Sequence, residues 1–148
     1  ALWISPLTVG AEGLRDRRVF SGSIGPVENP DLDDTLHFAD GHCWSGICTR
    51  CGFMPGKYTA ERISGGISFT RVLRRDDRGQ FSCQGFVKAN GEIRGDIARD
   101  WRRWYRTARR HIVFQGSAQA SQHATEVPEI RERVRAISPD ADPACARF

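Results

Sequence analysis

The 148-residue chain has no apolar run approaching the length of about 18 residues that a membrane-spanning helix needs. Any membrane contact is therefore expected to be peripheral or through a partner. Its four histidines (His37, His42, His111 and His123) show neither H-E-x-x-H nor H-x-x-x-H spacing. There is no G-x-S-x-G and no phosphate-binding loop. These absences remove the usual signatures of zinc hydrolases, serine hydrolases and nucleotide enzymes. His42 beside Cys43 is not a catalytic dyad, because neighbouring residues of a strand point to opposite faces. A non-catalytic role is expected. Residues 1–13 have neither a charged n-region nor an apolar h-region, so no leader peptide is read there, although the chain opens on Ala1.

What is present suits one soluble globular domain. Hydrophobic residues make up 39% and charged residues 27%, enough for a single core without staples. The net charge is +4, but it is unevenly placed. Arg94, Arg99, Arg102, Arg103, Arg106, Arg109 and Arg110 stand against only Asp96 and Asp100. Asp31, Asp33 and Asp34 crowd an acidic stretch further upstream. Such a dipole suits docking to a partner.

From about residue 18 to residue 117 the sequence reads as strands divided by turn signals. A strand over 18–24 stops at Gly25-Pro26. Residues 35–39 alternate, with Leu36 and Phe38 on one face, and Asp40-Gly41 is a strong hairpin signal. Strands follow over 42–49, 57–63 and 67–73, the last with Ile67, Phe69, Arg71 and Leu73 on one side. Residues 80–89 put Phe81, Cys83, Gly85 and Val87 on one face, before a second hairpin signal at Asn90-Gly91. Strands over 92–103 and 105–117 complete the series. Short connections make sequence neighbours antiparallel neighbours. The expected fold is all-β: an eight-stranded antiparallel up-and-down barrel, which leaves no sheet edge unpaired.

The flanks differ. Residues 1–17 form an N-terminal extension. The tail, 118–148, carries a helix over about 126–137, with Val127, Ile130, Val134 and Ile137 at helical spacing and Thr125 as its N-cap. Pro128 falls in its first turn and Ser138-Pro139 ends it. Residues 139–148 are Asp-, Ala- and Pro-rich and are expected to be flexible.

Several strings carry a resemblance: Asp34-Thr35-Leu36-His37-Phe38-Ala39-Asp40-Gly41, then Ser45-Gly46-Ile47-Cys48, then Gly52-Phe53-Met54-Pro55-Gly56-Lys57-Tyr58. With G-x-I-x-F at Gly65 to Phe69 and the closing F-x-G at Phe114 to Gly116, residues 18–117 resemble small bacterial lipocalin-like proteins. The resemblance implies a calycin-type barrel, often in exported proteins. Cys48 falls on that pattern's cysteine, whereas Cys43 and Cys51 depart from it.

Three of the five cysteines, Cys43, Cys48 and Cys51, fall within nine residues with the C-x4-C-x2-C spacing of plant-type two-iron ferredoxins. Gly46 would let backbone amides approach the sulfurs of a cluster. Against this, Cys43 and Cys48 have opposite parity in an extended strand and would face opposite sides. Zinc bound by Cys43, Cys48, Cys51 and Cys83 lacks a second C-x2-C or H-x3-H half-site. A disulfide from Cys51, to Cys48 or to a neighbouring strand, fits an exported, periplasmic protein; the remaining cysteines are expected to be small buried hydrophobes. A cytoplasmic protein would keep them all reduced. No cofactor is expected on balance, with an iron–sulfur cluster or zinc as the alternative.

Trp101, Trp104 and Tyr105 interleave with the arginines of 99–110. That pattern could serve nucleic acid through phosphate contacts and stacking, but the modest net charge argues against it. Alternation places Arg71 and Arg99 on the faces that carry Phe69 and Ile97. If those faces line the barrel, the arginines are buried cations that need an anionic partner: Glu61, Asp96 or a ligand. The expected site for a small amphipathic or anionic ligand is Arg71, Arg99, Tyr58, Phe69 and Trp101, with Tyr105 as a further candidate. The alternative is an accessory subunit of a larger complex, docked through its N- and C-terminal extensions.

Overall fold

The computed structural model describes residues 18–75, 79–103, 106–137 and 142–147, with 73–75, 79, 101–103, 106–108, 120–122 and 146–147 as backbone only. The N-terminal extension 1–17, the turn Asp76-Asp77-Arg78, Trp104, Tyr105 and Ser138-Pro139 lie outside the described residues.

The alternating stretches form eight strands: β1 Arg18–Pro26, β2 Leu32–Ala39, β3 His42–Ser45, β4 Gly56–Ile63, β5 Gly66–Arg75, β6 Gly79–Lys88, β7 Glu92–Arg103 and β8 Arg106–His123. Each is antiparallel to the next, and β8 closes onto β1, from Ile112 opposite Pro26 to His123 opposite Arg18. The expected closed eight-stranded antiparallel barrel is the observed one. The hairpin signals mark real turns. Asp40 and Gly41 both take positive φ (50° and 75°), the conformation of the two-residue turn that matches strand twist. Gly91 also has positive φ (91°), and the Asn90 carboxamide accepts from the Glu92 N–H at 3.0 Å.

The lumen is packed with rings. Phe38 meets Phe20, Tyr58 and Phe69 edge-on at centroid distances of 5.2–5.6 Å, the favoured aromatic geometry. Small residues on the neighbouring strands, Gly85 of β6 and Gly95 of β7, make room. The Phe69 ring lies over Gly85 so closely that an added Cβ would fall 2.1 Å from it. A second apolar cluster lies outside the barrel. There α2 (Val127–Arg135) places Val127, Ile130 and Val134 on Val19, Ala39 and Trp44.

Four local expectations need correcting. The stretch 42–49 is not one strand: β3 ends at Ser45, and Gly46–Arg50 is a short helix, α1, capped by the Ser45 side chain. β8 continues past Ser117, because after an irregularity between Arg18 and Phe20 it still pairs with β1. The tail helix spans Val127–Arg135 rather than 126–137, and its N-cap is Glu126, not Thr125, with no side-chain capping bond. Its end is not simply flexible, since Pro143–Arg147 forms a 3-10 turn tied back to the barrel.

The Phe69–Gly85 contact is testable. Gly85→Ala is expected to cost about 1–3 kcal/mol through overpacking, and clearly less in a Phe69→Leu background, as read by urea unfolding. Equal cost in both backgrounds would show that the ring does not depend on the missing Cβ.

Candidate functional site

Asp34 of β2 is 8% exposed and accepts two hydrogen bonds, from the Ser45 hydroxyl at 2.5 Å and the Ile47 N–H at 3.0 Å. The Ser45 hydroxyl oxygen in turn accepts from the Cys48 N–H at 3.1 Å. These bonds satisfy the free donors at the start of α1. Gly46 fits under them because a Cβ there would lie 3.0 Å from Thr35 Oγ1 and 3.3 Å from Asp34 Oδ1. Burial raises the Asp34 carboxyl above its ordinary value, although the Ser45 and Ile47 bonds pull against that.

The turn into α1 changes where the cysteines point. Had the strand continued, Cys43 and Cys48 would lie on opposite faces. Because β3 stops at Ser45, both sit in the lumenal core with Cys83. All three are free thiols. Burial pushes Cys43 up to about 12 and Cys48 up to about 11, and raises Cys83 as well. They are therefore neutral thiols at physiological pH.

Arg71 enters the same space, flanked in register by Tyr58 and Cys83. It is 5% exposed. One guanidinium nitrogen donates to the Cys43 carbonyl at 3.1 Å, and the Cys43 and Cys83 sulfurs face the same group. Its Nε has no hydrogen-bond partner among the described residues. Burial opposes the charge and the sulfurs favour it; the net direction is upward.

Arg99 lies one row nearer the end of the barrel, opposite Phe81, with its guanidinium 5.5 Å from that ring centre. Phe53 packs on the same ring at 4.6 Å and helps close this end. Tyr58, Phe69, Arg71 and Arg99 are thus all lumenal, as alternation implies. Trp101 continues the row in β7, with its side chain outside the described residues. The carboxylates considered for the arginines are elsewhere. Glu61 is exposed, and Asp96 binds Arg94 and His111 on the outer surface at 3.2 and 3.1 Å. The Arg94 hydrogen bond holds the Asp96 carboxyl below its usual range, and His111 adds to the effect.

The disulfide also differs from the expected pairing. Cys51 is bonded to Cys145, 94 residues away, and Cys48 stays free. The 3-10 turn holding Cys145 is further joined to α1 by the Arg50–Asp142 ion pair at 3.3 Å. The expected Cys48–Cys51 bridge is excluded because the Cys51 sulfur is already bonded to Cys145. Sequence reading missed Asp34 and Cys145. The only trace of the first was Ser-Gly at a strand end, and of the second the odd cysteine count.

Among the described residues, no three His, Cys, Asp or Glu side chains gather into a set that could hold a metal. Grooves formed by described residues open on the outer surface. One of about 350 Å³ lies over Ser68, Thr70, Gln84, Phe86, Arg94 and Asp96, and one of about 390 Å³ over Phe86, Lys88, Glu92, Ile93 and Gln115. No protein-family model, curated protein or solved structure matches the chain.

Two chemical outcomes follow. A thiol reagent at mildly alkaline pH should leave Cys43, Cys48 and Cys83 unmodified in the folded protein and label all three in denaturant, because the thiolate is the reactive form. Fast labelling of the native state would show the lumen open to solvent. Reducing the Cys51–Cys145 bridge, or replacing both residues by serine, should lower unfolding stability by about 4 kcal/mol for a loop of this length. An unchanged urea midpoint would mean that the bridge constrains nothing.

Proposed function

We propose that this protein is a non-catalytic, lipocalin-like barrel that serves as an accessory subunit of a larger assembly. It would be held through its outer surface rather than through a ligand in its lumen. The observation that carries this reading is the close packing of the lumen among the described residues. Phe20, Phe38, Tyr58, Phe69, Phe81 and Phe114 are each at most 8% exposed, whereas a site for a fatty acid or similar molecule needs a cavity of several hundred Å³, about 300 or more. The C-terminal extension is folded onto its own barrel through α2 and the bridge to Cys145, so docking falls to the strands' outer faces. The disulfide supports an exported setting, where such bonds persist.

A second reading keeps the small amphipathic anion. It draws support from Arg71, a lumenal cation whose Nε has no partner, and which has no carboxylate bonded to it, among the described residues. Arg99, 7% exposed near the barrel end, would be its second cation.

One pair of measurements separates these. Size exclusion of the protein extracted from its own cells should place it well above its 16.6 kDa monomer, and a fluorescent fatty acid should not bind the purified chain. Elution as a monomer, together with micromolar fatty-acid binding that Arg71→Met abolishes, would replace the first reading with the second.

A further inference from the structure

The β7–β8 hairpin outruns the barrel. The last pairing of β6 with β7 is Gln80 opposite Asp100. β1 ends at Pro26 opposite Ile112, with one further bond from the Val27 N–H to the His111 carbonyl. Beyond these points Trp101 faces Ala108, Arg102 faces Thr107 and Arg103 faces Arg106, and the two strands pair only with each other. Three residues past Asp100 extend the ribbon by about 10 Å.

This arm holds the charge of the molecule. From Asp100 to Arg110 the ribbon contains five arginines and one aspartate, a net +4, equal to the +4 of the whole chain, so the remaining residues are together neutral. The aspartate is neutralised on the arm itself: Asp100 accepts two bonds from Arg109, at 2.7 and 3.3 Å. The chain's cations are almost all arginine, 20 against two lysines. Arginine's planar fork binds phosphate oxygens in pairs.

We propose that the β7–β8 arm docks the protein onto an anionic phospholipid surface, its arginines engaging headgroup phosphates. Two observations favour a bilayer over a nucleic acid strand. The Cys51–Cys145 bridge belongs to an oxidising compartment, where lipid headgroups are the abundant phosphate-bearing surface. Exposed Glu28, Asp31 and Asp33 lie on the β1–β2 connection and the start of β2, at the same end of the barrel as the arm's base. A polyanion running down the arm would meet them; a plane lying against the ribbon beyond Asp100 is set off from them along the strands. Trp101 on the arm is a residue type of the headgroup zone.

The test is co-sedimentation of the full protein with vesicles of pure phosphatidylcholine and of equimolar phosphatidylcholine and phosphatidylglycerol, at low and high salt. Binding should require phosphatidylglycerol and be lost at high salt. Replacing Arg102, Arg103, Arg106 and Arg109 together by glutamine should weaken it on the order of a hundredfold or more, with the melting transition retained. Arg133→Gln with Arg135→Gln, on α2, should leave it unchanged. Absence of binding, equal binding to both vesicles, or loss in the α2 variant overturns the proposal. So does arm-dependent binding of a single-stranded oligonucleotide without vesicle binding. The lipid and salt dependence of the unmodified protein decides the matter even if the fourfold variant fails to fold. The outcome is independent of whether the protein elutes as a monomer or in an assembly.

Discussion

The buried Asp34 carboxylate binds the Ser45 hydroxyl and the Ile47 N–H, and the closed end of the barrel takes its shape from that contact. It ends β3 after four residues and starts a helical turn where alternation would continue a strand. The turn directs Cys48 into the lumen, carries Phe53 onto Phe81 and presents Cys51 to Cys145. A carboxylate desolvated to this degree is costly unless its lone pairs are used. Here two donors use them, one at the start of a helix, where a negative charge is favoured.

The lumen combines two kinds of polar tolerance. Neutral thiols behave as small hydrophobes and fill the gaps between rings. Arg71 stays charged among them by donating to a backbone carbonyl rather than to a carboxylate. A buried ion without a full counter-charge contributes little to stability and is usually retained for some other reason. The outer surface reverses this economy. There Arg109–Asp100 pairs opposite charges across β8 and β7, Arg94–Asp96 does so along β7, and His111 hydrogen-bonds Asp96 from β8, where each ion pair adds little.

The barrel was legible because period-2 alternation and the Asp40-Gly41 and Asn90-Gly91 turns are local signals that barrel closure reinforces. The lumenal placement of Phe69, Arg71, Cys83 and Arg99 followed from the same parity. What alternation cannot carry is a change of period. Gly46 to Thr49 read as strand residues until Asp34, eleven positions before Ser45, is known to bind it. Cys145 has no sequence neighbour to suggest Cys51. The end of β8 was misplaced because the polar residues after Ser117 show no apolar face, yet they extend the pairing to His123.

The bridge from Cys51 to Cys145 also has a topological meaning. It turns most of the chain into a covalent ring that contains β4 through β8 and α2, with β1 to β3 as a strip outside it. That strip is not a free end: β1 lies against β8 and β3 against β4, so it zips the ring shut along both margins. A single backbone cut anywhere within the ring, including along the projecting arm, would leave one covalently connected molecule. A nick within the ring thus sheds no fragment, whereas one in the exposed β1–β2 connection, outside the ring, does.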